Sequence, residues 1–434
     1  MSNKKEYIII MAGGSGTRMG SILPKQLLGI GNHPMMVHLL YQASDLNKDV
    51  VLIVSEKNKH VIINTLLGKK YIMNENNEHL PSNTNKYTFE NINVYVCIQP
   101  VANGTGGAIL STNDFFENND SNDETNVVIL SADVPLISKS TVEYLFGALK
   151  NENKSNGVIL VKDTNDNNGY GRIVIENNSF KKIVEDKDCD DDQKKITVIN
   201  TGTYGFKIKK LLSALKNIDN NNSQGEYYIT DCPEIINKKY NNTIHLHYVD
   251  NKNYDETLGA NTPMQLDTLR KEYLKKFTVD NLYDNVDNIN DDNIINLTNV
   301  LNQLAMVDID DMNKLRSMLI NNYDSYNNNK KNNIINPIQS HVLKYEENIV
   351  GHGTIIIEQK IIHSLGKVAH IEDIVIDYKY RGLGLSKILI DKLISIAKRN
   401  DCYKIILSAS DDMVSFYEKL GFYKKSNVMR MDII

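Results

Sequence analysis

Four short apolar runs constrain this chain more than any other feature: YIIIM (7–11), VVLIVS (50–55), VYVCIQ (94–99) and VVILSA (127–132). Each is bounded by polar or glycine-containing stretches, and helical segments lie between them. That alternation predicts a parallel α/β sheet buried on both faces. In open sheets of this kind ligands collect beyond the carboxyl ends of the strands. The residues just past each run are therefore the candidates: a glycine loop after Met11, then Ser55, then QPVANGTGG (99–107), then Asp133. Two glycine-rich loops and a lone carboxylate are expected at one edge.

The first loop lies in IIIMAGGSGTRMGSILPKQ (8–26), and its bare backbone suits close approach to an anion. It lacks the G-x-x-x-x-G-K-[ST] spacing of a Walker loop. It meets G-x-G at Gly14 and Gly16, but Met19 replaces the third glycine of the dinucleotide fingerprint. The remaining phosphate reading sets Arg18 and Lys25 on a nucleoside triphosphate, two cations placed to offset charge on a departing pyrophosphate. A plain surface turn carrying scattered cations is the alternative from the loop alone.

With 434 residues the chain is long enough for two to three domains of about 100 to 200 residues each. A helical charge pattern in NTPMQLDTLRKEYLKKF (261–277) breaks at DNVDNINDDN (284–293), which sets the boundary between domains 1–266 and 267–434, with a helical linker near 264–280. The second part reads as strand-like runs HVLKYEENIVGHGTIIIEQ and KVAHIEDIVID. A glycine turn, YRGLGLS, then opens a helix carrying Leu385, Leu389, Leu393 and Ile396 on one face. Asparagine-rich stretches such as NENNEHLPSNTN, ENNDSNDETN and NNNKKNN read as loop insertions. A net charge of −5 argues against nucleic acid as a partner. The four cysteines lack C-x-x-C spacing, so neither a disulfide framework nor a zinc site is suggested. No apolar stretch approaches the roughly 18 residues of a membrane span, and MSNKKEY lacks a signal-peptide core; a cytoplasmic protein without membrane partners is expected.

In order along residues 5–266, MAGGSGTRM, PKQ, QPVANGTGGAI, SADVPLI, NNGYGRIV, KIVEDKD, INTGTYGF, QGEYYITD and LGANTPMQL resemble the motifs of bacterial-type N-acetylglucosamine-1-phosphate uridylyltransferases. The resemblance implies a Rossmann-like nucleotidyltransferase domain. It assigns Gly14, Arg18 and Lys25 to the triphosphate of UTP and Gln99, Gly104 and Thr105 to the uracil. Asp133 and Asn261 become Mg²⁺ ligands, and Gly171, Glu185 and Asn200 hold the sugar. The charged sugar-phosphate oxygen can itself attack the α-phosphorus of UTP in line, so no protein nucleophile is required. Taken singly, Asp133 could instead cap a helix ahead of Pro135, and Glu185 could be a solvated charge. The start of the chain is also similar to polyol-phosphate cytidylyltransferases, which leaves CTP as an alternative.

Over about residues 275–434, IEDIVI, YRGLGLSKILIDKLI and CYKIILSASDDMVSFYEKLGF resemble eukaryotic-type glucosamine-6-phosphate N-acetyltransferases of the GNAT superfamily. That implies a GNAT-fold α+β domain using acetyl-CoA. The coenzyme loop pattern R/Q-x-x-G-x-G/A falls on Arg381, Gly384 and Ser386, with Gly382 between. Glu372 and Asp373 would bind the amino sugar; as strand neighbours they are expected to face opposite ways. Tyr417 would lie near the coenzyme sulfur, or be a core aromatic of an amphipathic helix. Ser408 and Met413 depart from the family's acidic and asparagine positions. Together the halves imply a bifunctional enzyme of UDP-N-acetylglucosamine synthesis, acting on UTP and amino-sugar phosphates and dimerising through the GNAT domain. A different nucleotide, glucosamine-1-phosphate as acetyl acceptor, or a GNAT half that only binds ligand are the alternatives.

Overall fold

The structure is a computed structural model describing residues 5–14, 16, 19–74, 80–119, 125–150, 155–241, 243–250, 255–284, 291–305, 312–332, 336–345, 348–425 and 431. It divides into two compact units, Met1–Lys271 and Glu272–Ile434.

In the first unit the four apolar runs are strands Glu6–Met11, Asp49–Ser55, Ile92–Gln99 and Asn126–Ser131. All are parallel, in the spatial order 92–99, 49–55, 6–11, 126–131. Alternate residues enter two cores. Ile8, Ile10, Leu52 and Leu130 pack with Leu39 and Leu145 on one face, and Ile9, Ile53, Val127 and Ile129 pack with Phe115 and Leu211 on the other. Helices on both sides explain why the runs are continuously apolar rather than alternating. Beyond this centre, Ile244–Tyr248 also pairs parallel with Gly157–Asp163, while other neighbours run the opposite way. Val198–Lys207 joins antiparallel to 126–131, and Thr84–Phe89 antiparallel to 92–99, so the sheet is mixed. The hairpin Arg172–Glu176/Ser179–Val184 turns through Asn177 and Asn178, both at positive φ, the two-residue turn that suits twisted antiparallel strands.

The topology positions the site. After 6–11 the chain adds 49–55 and 92–99 outward on one side, then returns to lay 126–131 on the other side of 6–11. That reversal is a switch point, where a crevice opens beyond the strand ends. The first glycine loop and Asp133 leave from the two strands that flank it.

The second unit is a five-stranded sheet ordered Phe277–Asn281, Ile338–Tyr345, Asn348–Gln359, Lys367–Ile376 and Cys402–Leu407, antiparallel except for the last pair. Helix Leu385–Arg399 buries Leu385, Leu389, Leu393 and Ile396 as its spacing predicts. The parallel pairing of 367–376 with 402–407 ends at Ile371 and Leu407, while the first strand continues to Ile376, so the two strands part there. The NNNKKNN stretch, expected as a loop, largely belongs to helix Met312–Lys331. Leu319, Tyr323 and Tyr326 of that helix pack with Leu282, Ile294 and Leu297, and this burial outweighs the poor helix propensity of asparagine. Of the other two asparagine-rich stretches, residues 75–79 and 120–124 lie outside the described residues; residues 80–83 are a connection as expected, and the described ends otherwise fall in strands Met73–Asn74 and Thr84–Phe89, in helix Asn113–Asn119 and at the start of strand Asn126–Ser131.

Candidate functional site

Beyond strand 6–11 the Ala12 N–H donates to the Ile53 carbonyl at 2.8 Å, and the Ala132 N–H donates to the Met11 carbonyl at 3.1 Å. The loop therefore starts in the switch-point gap. Its return is anchored by buried Gln26, whose Nε2 donates to the Ala12 carbonyl at 2.6 Å. That anchor sets Lys25 over the strand ends. The Lys25 ammonium donates to Asp133 Oδ2 and, at 2.8 Å, to Asn261 Oδ1. The other Asp133 oxygen accepts from Ser131 Oγ at 2.5 Å. Gly16 lies at φ +61°, and a Cβ there would come 2.9 Å from Lys25 Cβ, so the loop closes over the lysine only with glycine. Gly14 lies beside the Lys25 side chain, and its carbonyl accepts from Asn58 Nδ2 at 3.4 Å. Arg18 lies outside the described residues.

Asp133 and Asn261, distant in sequence, thus aim two oxygens at one cation, here the lysine ammonium. A carboxylate plus an amide carbonyl is a hard donor pair, suited to a divalent cation that takes its other ligands from phosphates and water. The residues present fit Mg²⁺.

The second glycine loop is tied to the first. Buried Gln99 donates through Nε2 to Asn103 Oδ1 at 3.2 Å and to the Gly104 carbonyl at 3.4 Å, while its Oε1 lies 3.0 Å from where a Gly13 Cβ would be. Gly104, at φ +106°, faces the Tyr227 carbonyl 2.5 Å from its own would-be Cβ. Any side chain there collides with backbone. The QGEYYITD segment forms the brace: the Tyr227 N–H donates to the Asn103 carbonyl and the Gly106 N–H to the Tyr227 carbonyl, each at 2.8 Å. The Ile229 N–H donates to Thr105 Oγ1 at 3.1 Å.

Gly171, Asn200 and Glu185 form a third group. The Asn200 N–H donates to the Gly171 carbonyl at 2.8 Å, and the Asn200 amide is oriented by Tyr204 Oη at 2.7 Å and the Gly202 N–H at 3.1 Å. Glu185 Oε1 accepts from Thr230 Oγ1 at 2.8 Å. Burial raises the Glu185 carboxyl above the usual range; the Thr230 bond opposes this, and Asp188, Asp186 and Glu226 add to it. Tyr170, next to Gly171, has its hydroxyl raised by burial, then by the charges of Asp166 and Asp133. Sequence reasoning missed Arg172. It is 1% exposed, and Nη2 pairs with Asp186 at 3.1 Å while Nη1 donates to the Tyr170 carbonyl. It ties the Gly171 strand to the Glu185 segment, and its place inside the GYGR motif was the available signal.

In the second unit Glu372 and Ser408 each follow the last paired position of their strands, where the strands part. The expected alternation of Glu372 and Asp373 does not hold. Asp373 sits at φ +56° in a register shift opposite His352–Thr354, so the strand bulges and the extended geometry behind that expectation is broken. Buried His352, also unforeseen, has Nδ1 3.4 Å from the Asp373 carbonyl; against a carbonyl that nitrogen carries the proton. Gly382 and Gly384, both at φ +75°, shape the turn into helix 385–399; the Lys387 N–H donates to the Gly384 carbonyl at 3.0 Å, and Leu385 and Ser386 are the first two helical residues, with no preceding turn of the helix to accept from their N–H groups. The Arg381 side chain is spent on bracing: Nε donates to the Ile376 carbonyl at 2.8 Å and Nη2 to Gln303 Oε1 at 3.1 Å. Tyr417 lies in helix Val414–Lys419 with ring neighbours Phe416 at 5.1 Å and Phe422 at 6.0 Å, and burial raises its hydroxyl pKa.

Residues 7–254 match the nucleotidyl transferase family model, and residues 312–422 match that of the acetyltransferase (GNAT) family. A probable UDP-N-acetylglucosamine pyrophosphorylase of Acanthamoeba polyphaga mimivirus is 35% identical over 266 residues, 61% of this chain and 94% of that protein. The bifunctional protein GlmU of Aliarcobacter butzleri is 32% identical over 290 residues, 65% of this chain and 58% of that protein, so the match spans little more than half of that relative's length. A crystal structure of glucosamine-6-phosphate N-acetyltransferase from Arabidopsis thaliana is 25% identical over 36% of this chain and 99% of that one, at a TM-score of 0.29. With more than half of its length in the first match, the chain belongs to the nucleotidyl transferase family and carries a GNAT-family acetyltransferase domain in its second unit.

Proposed function

We propose that the first unit transfers uridylyl from UTP to N-acetylglucosamine-1-phosphate, releasing pyrophosphate, and that the second acetylates glucosamine-6-phosphate from acetyl-CoA. The observation that carries the first half is the meeting of Lys25, Asp133 and Asn261 at the sheet's switch point. It is joined by 35% identity to a probable pyrophosphorylase over 94% of that protein.

In this reading the Gln99–Gly104–Thr105 loop holds the base, and Gly171, Glu185 and Asn200 hold the sugar. The sugar-phosphate oxygen attacks the α-phosphorus in line; the new P–O bond forms as the bond to the β-phosphate bridging oxygen breaks. Lys25 and Arg18 offset charge on the departing pyrophosphate. Asp133 and Asn261 would hold Mg²⁺, which supplies further charge neutralisation at the phosphates when bound. With Asp133 and Asn261 holding Mg²⁺, the Lys25 ammonium would be released from both oxygens and free for the triphosphate.

In the second unit the loop from Arg381 to Ser386 would take the coenzyme pyrophosphate, while Glu372 and Asp373 receive the amino sugar at the parting strands. The neutral amine attacks the thioester carbonyl, the C–N bond forms as the C–S bond breaks, coenzyme A leaves as the thiolate, and the proton of the former amine passes to water. A Tyr417 hydroxyl raised by burial is a poor acid, so it donates a hydrogen bond to the leaving sulfur rather than a full proton. The reading extends to a cytoplasmic homodimer formed through the GNAT domain.

The test is direct assay of the purified chain. Pyrophosphate release is followed with UTP or CTP and N-acetylglucosamine-1-phosphate, and thiol release with acetyl-CoA and each glucosamine phosphate. Preference for CTP, or turnover only with glucosamine-1-phosphate, would replace the corresponding half of the proposal. Silence in both assays overturns it.

A further inference from the structure

We infer that Glu256 is a positioning residue for the metal pair, completing a helix cap from a distant part of the chain and so holding Asn261 in register with Asp133. The inference rests on the nucleotidyl-transfer reading above. The turn that starts at Asp133 runs to Ser138, whose hydroxyl oxygen accepts the Thr141 N–H at 3.2 Å and so caps helix Lys139–Lys150. In a local capping box the residue three places after the cap, a Glu or Gln, reaches back to take the cap's own N–H. Here that residue is Thr141. The missing acceptor comes from elsewhere: Glu256 Oε2 takes the Ser138 N–H at 2.8 Å, and the Thr141 hydroxyl donates to Oε1 at 2.9 Å and Oε2 at 3.0 Å.

Glu256 is 2% exposed, and a buried carboxylate requires such donors. The positive end of a 12-residue helix adds to them. Four residues on, the Ala260 N–H donates to the Asp133 carbonyl at 3.1 Å, and the Asn261 N–H is held by Gln265 Oε1 at 2.9 Å. The segment bearing Asn261 is thus pinned to the turn bearing Asp133 at two points, and Glu256 is the far one. Both oxygens must be presented to one cation. Loosening the far pin therefore weakens metal affinity before it weakens transfer.

The test uses full-length Glu256→Gln and Thr141→Val beside the wild type. Mn²⁺ binding is read by electron paramagnetic resonance without nucleotide, and pyrophosphate release is titrated with Mg²⁺. Glu256→Gln should weaken Mn²⁺ binding by about tenfold or more, the cost typical of lost outer-shell support, and raise the Mg²⁺ needed for half-maximal rate in parallel, with the rate recovering at saturating metal. Thr141→Val should shift both the same way by a smaller factor. Denaturant unfolding of the first unit, compared with wild type, serves as the folding control, and acetyl transfer as the control for the second unit. Unchanged metal dependence in both variants, or a lower maximal rate at unchanged metal dependence, overturns the inference while leaving the function standing. If Glu256→Gln unfolds the first unit, Thr141→Val alone decides in the same way. A wild type that needs no divalent cation would overturn both the metal reading and this inference.

Discussion

At the scale of single residues, the decisive arrangement is one ammonium shared by a carboxylate and an amide oxygen. Removing either side of it has distinct consequences. Asp133→Ala should abolish pyrophosphate release from UTP and N-acetylglucosamine-1-phosphate and leave acetyl transfer intact; near wild-type release would show that Asp133 is not a metal ligand. Lys25→Ala should lower kcat by about 10²–10³-fold, as for loss of one preorganised charge donor, with a smaller change in KM, because charge on the pyrophosphate grows toward the transition state. A change confined to KM, measured by initial rates at varied UTP, would mean plain ground-state binding. In the second unit Tyr417→Phe should slow thiol release with coenzyme affinity nearly unchanged.

At the scale of elements, the glycine loops work because other segments hold them. Gly104→Ala meets both a left-handed φ and the Tyr227 carbonyl, so it should cost about 1–3 kcal/mol of stability and raise KM for UTP; a variant with an unaltered melting temperature would contradict that packing. The start of helix Cys232–Lys239 yields a pH prediction. The Asp231 carboxyl is pushed up to about 6 by burial, then by Asp219, Glu185, Glu234 and Asp188, from an ordinary value of 3.8. The folded state therefore binds this proton more tightly than the unfolded chain, and the group costs stability as pH rises from about 4 to about 6. Asp231→Asn should be close to neutral at pH 4 and stabilising at pH 8, by about 1 kcal/mol once screening of a half-exposed group is allowed for. Denaturant unfolding at both pH values checks the sign.

For the whole molecule, two compact units carry two transferase families, and the substrates proposed for them do not meet directly. On the proposed reading, acetylation of the 6-phosphate would yield a product whose phosphate is on the wrong carbon for uridylyl transfer, so a phosphosugar mutase would have to act in between. The chain supplied with glucosamine-6-phosphate, acetyl-CoA and UTP should accumulate the acetylated 6-phosphate, and form nucleotide sugar only when a mutase is added. Nucleotide sugar formed without one would show that the acceptor or the regiochemistry is misassigned.

The sequence by itself determined the parallel centre of the first sheet, because strands buried on both faces must be apolar throughout and so announce themselves as VVLIVS or VVILSA. It also located the glycine loops, since positive φ at Gly16 and Gly104 leaves a local residue signature. The helix after YRGLGLS was legible for a related reason, its apolar stripe at helical spacing. Other features depended on groups far apart in the chain. Lys25 and Asn261 lie 236 positions apart, and Glu256 completes a cap 118 positions from Ser138. A carboxylate whose donors belong to another segment looks, in its own neighbourhood, like any surface acid. Helix 312–331 forms through asparagine because Leu319 is buried and Tyr323 and Tyr326 pack half-buried against the same core, and Asp373 leaves the extended strand because the neighbouring register shifts at His352. Local patterns record burial and backbone conformation; which groups pair across the fold is decided only when the chain closes on itself.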